Sequence, residues 1–146
     1  MVFGHEKLDV YRLALQYVSW VFEISECLSG KYGNARDQLL RASQSIPLNI
    51  AEGNGKVTER DHGRYFEIAR ASALECAAIQ DVLEMGNMIT SEINLEKKNM
   101  LSRIVAMLTK LGRWGYMVKE ELRTYKTDSD DDIDYDTDTD LHMKGV

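Results

Sequence analysis

The chain has 146 residues, 44% of them apolar, with one proline, two cysteines and a formal net charge of −6. That length sets a single domain with a modest core, and no long unbroken apolar run offers a membrane span. The single proline and the scarcity of β-branched runs favour helices over sheet.

Charge is unevenly spread. Residues 127–146 hold eight aspartates and one lysine, which leaves 17 cationic and 16 acidic side chains in the rest. The body is therefore nearly neutral and the tail strongly acidic, so residues 1–126 are expected to form the folded domain and 127–146 a disordered tail. The tail lacks the turn glycine and distal glutamate of a calcium loop. Its acidity could also compete with nucleic acid for a basic surface. The opening residues, Met1 to Lys7, have no signal-peptide layout, so a cytoplasmic setting is expected.

A first helix is predicted over 7–29, where Tyr11, Ala14, Leu15, Val18, Val21, Phe22 and Leu28 recur at three- and four-residue steps. Tyr17 and Trp20 flank that stripe and are expected to face a neighbouring chain. Gly30 to Asn34 makes the first break. A second helix is predicted over 35–52. Pro47 sits inside it, without the amide proton that would bond the Ser43 carbonyl, and predicts a kink at a cost of roughly 3 kcal/mol. Arg41, Ser45, Asn49 and Glu52 share one face. Gly53 and Gly55 are expected to stop the helix.

A third helix is predicted from Thr58, which as N-cap with Asp61 three residues on resembles a capping box. Its apolar positions include Tyr65, Phe66, Ala69, Ala73, Cys76, Ile79 and Leu83. The small residues from Ala69 to Ala78 permit close helix approach. Gly86-Asn87 or Thr90-Ser91 ends it. A fourth helix over 94–125 carries a heptad-like seam of Leu101, Ile104, Leu108, Leu111, Gly115, Val118 and Leu122. Four amphipathic helices with short links predict an all-α, antiparallel up-down-up-down four-helix bundle with a Pro-kinked second helix. Cys27 and Cys76 fall within helical patterns and are expected to be buried, reduced thiols, with a disulfide as the alternative.

Two polar features stand out. Arg41, Ser45, Asn49 and Glu52 on the second helix are expected to face Arg70, Ser72 and Glu75 on the third, as an interior hydrogen-bonded network. Its simplest role is to fix register and the bend. Lys56, Arg60 and Arg64 follow at four-residue steps, and Arg36 and Arg41 are expected close by; such a row suits a phosphate backbone. With Glu59, Asp61 and Glu67 interleaved, it also reads as an ordinary solvated face.

Reaction chemistry is sparse. Gly53-x-Gly55 follows no strand, which weakens a phosphate-loop reading. His5, His62 and His142 lack metal-ligand spacing, and Glu59 to His62 is a single Glu-x-x-His where a di-iron bundle needs two. No nucleophile motif is present. Neither an enzyme nor a cofactor is expected. A reaction using Glu52 and Glu75 around Asn49 would need an open pocket at the kink.

The run Ser45-Ile46-Pro47-Leu48-Asn49-Ile50-Ala51-Glu52-Gly53 resembles a known family. Arg64-Tyr65-Phe66-Glu67-Ile68-Ala69-Arg70-Ala71-Ser72-Ala73-Leu74-Glu75 and the opening Leu8 to Ala14 carry the same likeness. It is to the four-helix-bundle proteins encoded in intervening sequences of bacterial 23S ribosomal RNA genes. The likeness spans about residues 3–120 and leaves the acidic tail outside. Ala71 stands where the family usually has a glycine. The resemblance implies a small antiparallel bundle similar to the accessory proteins of diversity-generating retroelements. Those form pentameric barrels with a basic surface and bind nucleic acid and a reverse transcriptase. By that likeness a homopentamer is expected, with RNA, a ribonucleoprotein or a reverse transcriptase as partner. The alternative is a protein-interaction scaffold using Tyr17, Trp20, Trp114 and Tyr116.

Overall fold

The computed structural model describes residues 1–127, with side chains up to Gly112. Residues 1–116 form one compact unit. The described residues are helical with no strand, in four helices: α1 (Asp9–Ser25), α2 (Gly33–Asn54), α3 (Glu59–Met85) and α4 (Ser91–Thr127). Single 3-10 turns, Gly4–Lys7 and Gly30–Tyr32, precede α1 and α2. This is a four-helix architecture of the class expected. Residues 117–127 continue α4 as helix. The expected acidic tail lies outside the described residues, as do the side chains of Trp114 and Tyr116.

One apolar stripe from each helix meets in a common core. It joins Val10, Leu13, Ala14, Tyr17 and Val21 of α1 with Leu39, Ala42, Ile46 and Ile50 of α2. Phe66, Ala69, Ala73, Cys76 and Leu83 of α3 complete it with Leu101, Ile104 and Leu108 of α4. Cross-contacts fix the alignment of neighbours. Arg41 meets Glu75, Ser45 meets Ser72, and Gly53 meets Tyr65 and Phe66, so numbers rise along α2 as they fall along α3.

Several boundaries depart from the periodicity; α2 starts at Gly33 and α4 at Ser91, both earlier than predicted. α1 starts later and ends earlier than predicted, because Gly4–Lys7 winds separately and Leu8 is extended. Cys27, past the end of α1, is exposed rather than buried; only Cys76 is buried, and both thiols are free. Gly53 does not stop α2. It lies within the helix and is buried, and a Cβ there would stand 2.9 Å from the Tyr65 Cβ. That glycine lets α2 and α3 approach closely; the helix is capped at Gly55, whose N–H bonds the Ala51 and Glu52 carbonyls. Pro47 is buried within a helix that continues on both sides of it.

The start of α3 follows its chemistry. The Thr58 hydroxyl accepts the Asp61 N–H at 3.2 Å, and Glu59 and Asp61 put negative charge on the first turn. At the other end, Gly86 caps α3 and Asn87 takes a left-handed φ of 60°. A Cβ on Gly86 would sit 3.0 Å from the Tyr32 ring, whose hydroxyl donates to the Gly86 carbonyl.

Candidate functional site

The tight α2–α3 turn and the Thr58 cap together present Lys56, Arg60, Arg64 and Tyr65 at one corner. Two cations lie over the Tyr65 ring, the Lys56 Nζ 4.9 Å and the Arg64 guanidinium carbon 5.3 Å from its centroid. Such contacts hold long side chains over an aromatic face and keep their charge at the surface. Lys56 also pairs with Glu52 at 3.9 Å. Arg60 is exposed, and no ion pair among the described residues engages it. Glu52, Glu59 and Asp61 accompany these three cations, so the corner has little net charge of its own.

Arg36 and Arg41 do not join this corner. Arg36 donates to the Leu28 carbonyl at 2.9 Å and pairs with Asp37, pinning the α1–α2 connection. Arg41 pairs with Glu75 at 2.7 Å. At about 1.5 Å per helical residue, Arg41 stands roughly 20 Å along α2 from Lys56. Their shared charge groups them with the corner, and the length of α2 keeps them apart from it.

The polar stripes also divide. The Ser72 hydroxyl is bonded to both the Ser45 hydroxyl and the Ile68 carbonyl, each at 2.9 Å, and the Asn49 amide donates to Ser45. Together with Arg41–Glu75 these bonds line the α2–α3 seam, with the ion pair at its outer edge rather than in the interior. Glu52 turns to Lys56. Arg70 faces the opposite seam: its Nε donates to the Thr109 hydroxyl of α4 at 2.9 Å, and its other arm lies 3.5 Å from Glu67. An arginine buried this deeply is tolerated because both arms find acceptors.

A second polar chain, which the apolar periodicity does not mark, crosses the core. The Tyr17 hydroxyl donates to Gln80 Oε1 at 2.6 Å; Gln80 Nε2 donates to Asn94 Oδ1 at 2.9 Å; Asn94 Nδ2 donates to Asp81 Oδ1 at 3.1 Å. Asp81 then pairs with Lys98 at the surface. Tyr17 therefore does not face a neighbouring chain: it is fully buried. Trp20 is half-buried beneath the Lys97 ammonium. The missed signal was two amides, Gln80 and Asn94, at the angles the apolar stripes of α3 and α4 occupy.

Burial pushes the Tyr17 hydroxyl well above its usual range, with Cys76 beside it adding to the rise. The Cys76 thiol is pushed up to about 12, chiefly by burial. It is thus protonated and inert, as buried thiols are. Lys98 and then Asn94 hold the Asp81 carboxyl below its ordinary value. No three or more His, Cys, Asp or Glu among the described residues are grouped to hold a metal ion. A shallow hollow of about 190 Å³ is lined by Leu8, Asn54, Glu59, His62, Gly63, Phe66, Leu111 and Gly112. Glu52 and Glu75 do not meet in it, each being engaged by a cation instead. No helix among the described residues is long and apolar enough to cross a membrane.

A solved crystal structure from Bacteroides thetaiotaomicron, described as a protein of unknown function from the S23 ribosomal protein family, has a similar fold. The TM-score is 0.66 at 23% identity, covering 70% of this chain and 96% of that one. No curated protein matches. The model of the family described as 23S rRNA-intervening sequence protein matches residues 6–110, a span that includes all four helical stripes, the Pro47 run and the Thr58 corner. The chain belongs to the 23S rRNA-intervening sequence protein family.

Proposed function

We propose that this protein is a non-catalytic, cofactor-free, cytoplasmic module that binds RNA or a ribonucleoprotein as a homo-oligomer. A pentamer is the form its family resemblance suggests. Its body is an up-down-up-down bundle of antiparallel helices, bent at Pro47 and followed by the acidic tail. The observation that carries the binding reading is the corner where Lys56 and Arg64 lie over the Tyr65 ring. The ammonium and guanidinium held over the ring meet phosphates, and aromatic and guanidinium planes are what the unstacked bases of single-stranded RNA stack on. Because the corner has little net charge, one copy would bind weakly, and several copies on one RNA would gain by avidity.

The test is a gel-shift titration of the full chain against a structured RNA at two salt concentrations. We expect binding that weakens as salt rises, and that Arg60→Glu with Arg64→Glu abolishes it. Absence of binding, or binding indifferent to salt, would favour the second reading, a protein-interaction scaffold without nucleic acid. That reading draws on the exposed apolar residues of α3, among them Val82 and Met85.

A further inference from the structure

α3 has two apolar sides. One is the core stripe already described; the other faces solvent. Ile68, Glu75 and Val82 lie seven residues apart along α3, and so do Ala71, Ala78 and Met85. The two rows are adjacent, three and four residues from each other, which is the a/d spacing of a helix-docking seam. All six are exposed or half-exposed: Ile68 is 41% exposed, Val82 63% and Met85 85%. Leu74 and, from α2, Leu48 widen the strip.

We propose that this outer seam of α3 is where a second copy of the chain docks. The proposal rests on the oligomeric reading above and names the face that builds the oligomer. Three observations select a like copy as the occupant. The first is area. The apolar side chains left in water here amount to on the order of 600 Å², at the upper end of what a monomer ordinarily exposes and near the share one partner contributes to a standard interface. The second is shape. Ala71 and Ala78 leave two holes one heptad apart, so the surface admits a close helix, as the four helices of this chain admit one another.

The third is charge. The charges on and beside the strip are paired, Arg41 with Glu75, Arg70 with Glu67 and Lys98 with Asp81, so each pair is internally balanced. A neutral face carries no cation excess to draw a phosphate backbone or an anionic lipid. It also imposes no repulsion when identical copies meet. Arg64 continues the row of Ala71 and Ala78, so the seam runs into the corner that holds Tyr65. Docking along it would bring the cations of successive copies to one edge.

The experiment measures the mass of the full-length protein in solution by light scattering over a range of concentrations. We expect the wild type to be a multiple of the chain mass. Ala78→Glu with Val82→Glu, which puts two charges on the seam at exposed positions, should reduce it to a single chain with its helical circular dichroism intact. Leu95→Glu, an equally exposed apolar position on α4, should leave the mass unchanged. A seam variant that keeps the wild-type mass overturns the choice of face while the oligomer stands. A wild type of single-chain mass at every concentration overturns both. Should the double variant lose its helicity, Ala78→Arg alone gives the same readout, a fall to single-chain mass supporting the seam and a retained oligomer overturning it.

Discussion

Asp81 is where the buried amide chain reaches water, and its electrostatics set a pH dependence. Lys98 and Asn94 favour its charged form and hold its carboxyl below the value it would have in the unfolded chain. A depressed folded-state pKa contributes stability above the unfolded value of about 4, and that contribution disappears as pH falls through the lower folded value. Replacing Asp81 with Asn should therefore lower the urea midpoint at neutral pH and leave it close to wild type in acid. Parallel midpoint-against-pH curves for the two proteins would show that Asp81 carries no such linkage. The same chain marks a boundary of what the sequence discloses. Tyr17 reads from its spacing as a flanking aromatic, yet it is buried, because Gln80 offers its hydroxyl an acceptor inside the core. A buried tyrosine needs such a partner, and partners drawn from three different helices have no signature along the chain.

At the scale of the helices, the turn chemistry was readable and the close approaches were not. Thr58 announces the start of α3 through a local bond, Asp61 N–H to its own hydroxyl, and local bonds follow local sequence. Gly53 reads as a helix stop because that is the common role of a glycine after a helical run. Its actual constraint is Tyr65 on another helix, which periodicity cannot sense. Likewise Arg70 reads as a partner for the α2 stripe, whereas its angle on α3 turns it to Thr109. Lys56, Arg60 and Arg64 lie within one turn and its following helix, so their proximity is legible from local spacing; Arg36 and Arg41 share only their charge with them. A prediction follows for the element that carries the corner. Thr58→Ala removes the side-chain acceptor at the α3 N-terminus, which costs about 1 kcal/mol. Thermal unfolding should register that loss. Amide exchange in the first turn, over Glu59 to His62, should quicken while the middle of α3 stays protected. Uniform quickening along the whole of α3 would mean that the cap does not act locally.

For the molecule as a whole, affinity for RNA and assembly should be coupled, and the coupling is measurable through salt. Each phosphate neutralised releases counterions, so the logarithm of the binding constant falls with the logarithm of salt with a slope of about −0.7 per contact on single strands. One corner offers three cations, Lys56, Arg60 and Arg64, and so a slope no steeper than about −2. Several corners brought to one edge would give a steeper slope and a tighter complex, because the second and later contacts are intramolecular. The single-chain variant Ala78→Glu with Val82→Glu retains every residue of the corner, yet it should bind more weakly and with the shallower slope. Arg60→Glu with Arg64→Glu should do the converse: keep the oligomeric mass and lose the binding. If the single-chain variant binds with wild-type affinity and slope, one corner suffices, and assembly serves some purpose other than gathering charge.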